Sequence, residues 1–211
     1  MMTFKDYILE TEKKLADKDL VKNWVENVRQ HCNISDMILF RGMKAADKMG
    51  VKSVRRDRKP LNTAIYTHNL LDSIFEKQFG IKARSQTLFT YLRRKDVAPY
   101  INSSEEIYVV IPVNKDLKFI FSPYVDDLKV HIDDHIANDE NFESNLEKII
   151  KTYKVTNTVP DTLHEIMCLC DSYYFISVSY LENVYTFDIE VPDKMKVKDL
   201  LDKIEEKLSE S

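Results

Sequence analysis

Three short apolar runs, far apart in the chain, each carry a polar side chain able to do chemistry: Ile38-Leu39-Phe40-Arg41-Gly42, Arg84-Ser85-Gln86-Thr87-Leu88-Phe89 and Leu163-His164-Glu165-Ile166-Met167. A carboxylate held beside a ribose, here Glu165, stabilises the oxocarbenium-like state through which a glycosidic bond breaks. A guanidinium, here Arg41, grips phosphate through paired N–H donors. A hydroxyl, here Ser85, can orient the carboxylate. Together they could cleave a glycosidic bond in a substrate that carries phosphate.

Composition narrows how a nucleotide would be held. The chain has only three glycines, Gly42, Gly50 and Gly80. A glycine-rich phosphate loop needs several, so that backbone N–H groups can approach the phosphates. Side chains must therefore hold them. At 211 residues, with 44% hydrophobic and 31% charged residues, the chain reads as one domain with a real core. A net charge of -4 gives no general pull toward nucleic acid or anionic membrane. No apolar run approaches the roughly 18 residues of a spanning helix. The polar start of the chain and an odd cysteine count (Cys32, Cys168, Cys170) predict reduced thiols and a cytoplasmic setting. Cys168 and Cys170 share one strand face with Ile166, which predicts that both are packing residues.

The elements that must position these residues read as follows. Residues 3–16 and 19–30 are amphipathic helices, the second capped by Asp19 and buried along Leu20, Val21, Trp24, Val25 and Val28. Residues 37–41 form a strand, and a basic connector, 52–59, leads to Pro60. Asn62 or Thr63 caps a helix that runs to Phe79, with Leu71, Ile74, Phe75 and Phe79 inward and Gly80 just past its end. Residues 84–91 read as a strand, 95–100 as a turn or short helix, and 106–112 and 118–121 as a strand pair around Asn114-Lys115-Asp116. An acidic, exposed stretch spans 126–140, a helix 143–153 and a polar loop 156–162. Strands follow at 165–169, 173–180 and 184–191, then a C-terminal helix with Val197, Leu200, Leu201, Ile204 and Leu208 on one face. Helices first and strands late predict an α+β fold.

In this order the three segments resemble the signature of ADP-ribosyltransferases of the Arg-Ser-Glu class, of the bacterial-toxin and phage kind. Phe40-Arg41-Gly42 is similar to the aromatic-Arg-Gly end of the first core strand. Ser85-Gln86-Thr87 is similar to Ser-x-Ser/Thr on a central strand, with Ile107-Tyr108-Val109-Val110-Ile111 as the strand that follows, and Glu165-Ile166-Met167 resembles the Glu strand. The resemblance covers residues 37–190 and includes helices before the Arg strand and two strands after the Glu strand. The stretch from Asp57-Arg58-Lys59-Pro60 to Arg84-Ser85 is also similar to phage proteins of this kind.

The resemblance implies two small antiparallel-rich sheets around an NAD cleft. Residues 1–36 would be N-terminal helices, 37–191 the core and 192–211 the C-terminal helix. NAD would be the substrate and no metal would be needed. Glu165, Ser85 and Arg41 would be catalytic: Arg41 on the phosphates or ribose, Ser85 orienting Glu165. Gly42 would bind the carboxamide through its backbone, Thr87 would support the strand, and Phe89 or Tyr91 would stack on nicotinamide. The acceptor would be a protein or nucleic acid, in the host cytoplasm if the protein is phage-encoded. Leu163 departs from the Glu or Gln that arginine- and asparagine-modifying members place two residues before the catalytic glutamate, and leucine cannot bond a guanidinium acceptor.

Two other readings have their own residues. The patch Lys52, Arg55, Arg56, Arg58 and Lys59 suits a solvated loop, a nucleotide phosphate, or a nucleic-acid-binding regulator. A degenerate member of the family would instead use the fold for inhibition or virion assembly. His131 and His135 have a zinc-compatible spacing, but they sit in what reads as an exposed acidic turn.

Overall fold

The structure, a computed structural model, describes the backbone of residues 4–33, 35–60, 63–113, 117–135, 140–183 and 187–210, and the side chains of these except 4–16, 134 and 135. In chain order the elements are α1 (Phe4–His31), β1 (Leu39–Lys44), β2 (Met49–Ser53), α2 (Ile65–Phe79), α3 (Ala83–Gln86), β3 (Leu88–Thr90) and α4 (Arg94–Val97). A 3-10 turn, Ala98–Tyr100, leads to β4 (Glu105–Pro112), β5 (Lys118–Phe121), α5 (Leu128–His135), α6 (Phe142–Ile150) and β6 (Lys154–Thr156). The chain ends with β7 (Ile166–Leu169), β8 (Ser172–Ser177), α7 (Val178–Glu182) and α8 (Val197–Glu210). The strands form two 4-stranded sheets, ordered β1-β4-β8-β2 and β3-β7-β5-β6, with every pairing antiparallel. The α+β class and the two small antiparallel sheets expected from sequence are therefore present.

Strand alternation sorts the core into three layers. On β4, Val109 and Ile111 turn toward α1 and α8, whose Val21, Trp24, Val28, Leu200, Leu201 and Ile204 cover that face. Tyr108 and Val110 turn the other way, and with Leu39 and Phe175 they meet Phe119, Ile166 and Cys168 of the second sheet and Cys170 just past β7. The outer face of the second sheet, through Ile120 and Met167, is covered by α2, α5 and α6 with Leu71, Phe75, Leu128, Leu146 and Ile150. Burial of a side chain such as Phe119 or Phe175 contributes about 1.5–3 kcal/mol. Cys168 and Cys170 do lie in one layer with Ile166, buried and unpaired.

Several expectations are corrected. The two N-terminal helices are one, α1, because no glycine or proline interrupts residues 4–31; Asp19 is exposed within it, and Leu20 is 59% exposed rather than in the stripe. The strand expected over 84–91 shrinks to β3, since residues 83–86 turn into α3. β4 and β5 do not pair: β4 already has β1 and β8 on its two edges, so β5 joins β7 and β6 in the other sheet; Asn114-Lys115-Asp116 lies outside the described residues. The acidic stretch holds α5, anchored by buried Leu128 and Ile132. β8 stops at Ser177, whose hydroxyl accepts from the Tyr180 N–H and caps α7. Residues 187–191 form no strand, and Asp188 has φ 51°; residues 184–186 lie outside the description.

Strands β2, which contains Lys52, and β6 had no clear signal in the sequence. The C-terminal helix is integral to the fold: the Ile38 N–H donates to the Met195 carbonyl at 2.8 Å and the Val197 N–H to the Asp36 carbonyl at 2.8 Å. Helix α2 ends as expected, with Gly80 at φ 69° donating to the Glu76 carbonyl at 2.9 Å. Its first residue follows Ala64, which gives no side-chain cap; Asn62 lies outside the described residues. Among the described residues no helix is long and apolar enough to cross a membrane.

Candidate active site

Arg41 lies on β1 opposite Tyr108 of β4. It has the same parity as Leu39, so its side chain enters the space between the sheets where the inter-sheet core gives way to an open cavity. The Arg41 Nη1 donates to the Phe89 carbonyl at 2.7 Å, which ties the first sheet to β3 of the second. Gly42 is required for packing: a Cβ there would come within 2.5 Å of Ile101 Cγ2.

Ser85 belongs to the helical turn α3, and its surroundings differ from those expected. Its hydroxyl donates to Asp72 Oδ2, while Asp72 Oδ1 accepts from the Arg84 N–H at 2.7 Å and the Ser85 N–H at 3.2 Å. Asp72 thus caps the turn and draws residues 83–86 out of the strand. His68, one helical turn earlier on α2, lies 3.2 Å from Ser85 Oγ through Nε2. The His68 ring also bonds the Arg58 backbone, and the Arg58 N–H reaches the Ser85 carbonyl at 3.3 Å. Burial, helped by Arg84 and Arg58, outweighs Asp72 and holds the imidazole below its usual range. The network holds the backbones of Arg58 and Arg84 in place, and the Ser85 hydroxyl is directed to Asp72 and His68. Thr87 supports the turn, donating to the Ala83 carbonyl at 2.6 Å.

The guanidiniums of Arg58 and Arg84 lie over the Phe89 ring, at 4.1 and 4.5 Å from its centre. The ring expected to stack on nicotinamide is therefore covered by cations. Tyr91 is also engaged: its hydroxyl donates to Asp127 Oδ2 at 3.0 Å and its ring stacks on Tyr100 at 5.8 Å.

Glu165 is 6% exposed and lies just ahead of β7. Its N–H donates to the Asp126 carbonyl at 2.7 Å, and its carboxylate takes the backbone N–H of Leu128, the first residue of α5. Oε2 is buried and has no hydrogen-bond partner. Burial, with Asp127 adding repulsion, pushes the carboxyl up to about 7; Arg84, Arg58 and the Leu128 N–H pull it back only in part. A carboxyl poised near neutrality, with an unused oxygen, is suited to a reacting centre.

A cavity of about 1030 Å³ opens between the sheets, lined by residues that include Arg41, Lys52, Arg55, Arg58, Lys59, His68, Arg84, Thr87, Lys129 and Tyr173. Arg41 and Thr87 thus reach it among the residues singled out in sequence. Glu165 sits close enough for Arg58, Arg84 and Arg41 to feel its charge. The basic connector, read as one of several alternatives, forms a wall. Asp72, His68 and Asp127 were missed; only the spacing of His68 and Asp72 on one helical face could have pointed to two of them. Leu163 is 49% exposed beside Glu165. His131 lies in α5, and the described residues contain no group of three that could hold a metal. No protein family, curated protein or solved structure matches this chain.

Proposed function

We propose that this chain transfers ADP-ribose from NAD to a macromolecular acceptor, using an ADP-ribosyltransferase-like arrangement of its two sheets. The observation that carries the reading is Glu165: a buried carboxylate with a free oxygen, within the field of three arginines that line a cavity between antiparallel sheets. In this reading Arg41, with its remaining N–H donors, holds the diphosphate. Glu165 Oε2 accepts from a ribose hydroxyl, and its negative charge stabilises the cation that develops as nicotinamide leaves. The Leu128 N–H keeps the carboxylate aimed. Exposed Leu163 gives an apolar rim, which disfavours a guanidinium acceptor.

Ser85 favours a second reading, a non-catalytic member of the fold, because its hydroxyl is spent on Asp72. Incubation with labelled NAD and a bacterial lysate separates the two. Label on protein or nucleic acid, lost in Glu165→Gln, is expected. No NAD consumption with intact NAD binding would establish the non-catalytic reading.

A further inference from the structure

Arg41, Arg58 and Arg84 share a feature that the proposed chemistry does not use up. Among the described residues, none of the three has a carboxylate within ion-pair distance, whereas the arginines at 29, 56, 93 and 94 all do. The Arg84 Nε is buried and bonds nothing. The nearby carboxylates offset them only in part: Asp72 and Glu165 favour the Arg58 cation from beyond ion-pair distance, while their hydrogen bonds go to the α3 N–H groups, to Ser85 and to the Leu128 N–H. Desolvation, with repulsion from Arg41 and Arg84, depresses the Arg58 guanidinium to about 9, and Glu165 and Asp72 offset this only in part.

This arrangement is built, not incidental. Asp72 and His68, 6% and 4% exposed, form a buried polar network whose partners are the backbones and the serine that carry Arg58 and Arg84. Such networks are costly unless satisfied. Here the return is two guanidiniums held over one aromatic ring and facing one cavity. Arg55 and Lys59 extend the positive lining, as do Lys52 and Lys129, which already pair with Asp47 and Asp133; among the described residues Asp57 is the one carboxylate in the wall.

The dinucleotide NAD brings two phosphate charges, partly cancelled by its pyridinium, which leaves much of this lining unanswered. A phosphomonoester adds about -1.5 to -2 at neutral pH. We infer that Arg58 and Arg84 form a phosphate subsite of their own beside Arg41, and that the cavity takes a nucleotide bearing a phosphomonoester in addition to its diphosphate. The nucleotide part of this inference rests on the function proposed above; the phosphate subsite does not.

The test is calorimetry with the whole chain, using inorganic phosphate, NAD and NADP as probes, on the parent, Arg58→Gln and Arg84→Gln. Phosphate should bind the parent and weaken at least tenfold in each variant. NADP should bind the parent at least tenfold more tightly than NAD, and that preference should collapse toward unity in both variants. Arg58→Lys and Arg84→Lys keep the charge but not the planar fork, so intermediate losses separate recognition from a folding defect. Phosphate that does not bind the parent, phosphate affinity unchanged in both glutamine variants, or dinucleotide binding with NADP no tighter than NAD, overturns the inference. Phosphate binding that needs both arginines while neither dinucleotide binds leaves the subsite standing and removes the proposed NAD chemistry.

Discussion

Arg29 and Arg84 are the same side chain in opposite surroundings. Arg29 ties α1 to α8: its Nη2 lies 2.6 Å from Asp202 and 2.7 Å from Glu205, and its Nε donates to Glu205 at 3.1 Å. Those two carboxylates hold it above the usual guanidinium range. Arg84 has a phenyl ring in place of a carboxylate and a buried Nε with nothing to donate to. A guanidinium that closes its own charge balance serves the fold. One left open at a cavity wall, with a buried network to hold it there, serves a ligand. The same contrast separates carboxylates: Asp202 pairs at the surface, while Glu165 is buried with one oxygen unused.

The contrast breaks first at Glu165. Replacement by Gln keeps the shape and removes the charge, so turnover of NAD should fall about 10²–10³-fold, measured as nicotinamide release. Undiminished turnover would take Glu165 out of the chemistry. The same residue should cost stability. Its carboxyl is raised from 4.5 to about 7, so between those values the folded state keeps a proton that the unfolded chain has lost. Stability therefore falls as pH rises through that window and levels off above it, by about 3 kcal/mol. Glu165→Gln should lose this slope and be the more stable protein at pH 8. Denaturant melts of both proteins from pH 4.5 to 8 check it; parallel curves would mean that the carboxyl titrates normally.

Arg41 comes next. Arg41→Ala should weaken NAD binding by about tenfold to a hundredfold, the loss of a charge-assisted hydrogen bond, with Lys a poor substitute. Equal affinity in calorimetry would remove Arg41 as the phosphate anchor. Arg29→Ala should mark the other end of the scale. Its pairs are surface pairs, worth about 0.2–1 kcal/mol, so a small drop in melting temperature and unchanged ligand binding are expected. An effect of Arg29 on binding would erase the distinction between the two kinds of arginine. Cys168 and Cys170, both buried in the inter-sheet layer, should stay unlabelled by a thiol reagent until the protein unfolds. Burial also holds the Cys168 thiol well above its ordinary range.

Local pattern made much of this molecule legible. The i, i+3, i+4 stripes of α2 and α8 put Leu71, Phe75, Leu200 and Ile204 inside, as their spacing demanded. The alternation from Ile166 predicted that Cys168 and Cys170 share its layer. The scarcity of glycine directed attention to side-chain cations, and the segments holding Arg41 and Glu165 were visible as polar residues set in apolar runs. Failures occurred where a distant residue outweighed local propensity. Asp72 bends residues 83–86 into a helical turn and binds the Ser85 hydroxyl; the two occupied edges of β4 send β5 to the other sheet.

By itself, then, the sequence determined the stripes, the strand faces and the candidate ions, because each depends on neighbours within a few positions. Only the tertiary structure decided that Arg41, Arg58 and Arg84 converge with no carboxylate at ion-pair distance among the described residues. It also decided that Phe89 carries two of them and that Glu165 holds its proton to about 7. Charge balance and desolvation are sums over everything packed nearby, and residues 41, 58, 84 and 165 become neighbours only when the two sheets close on each other.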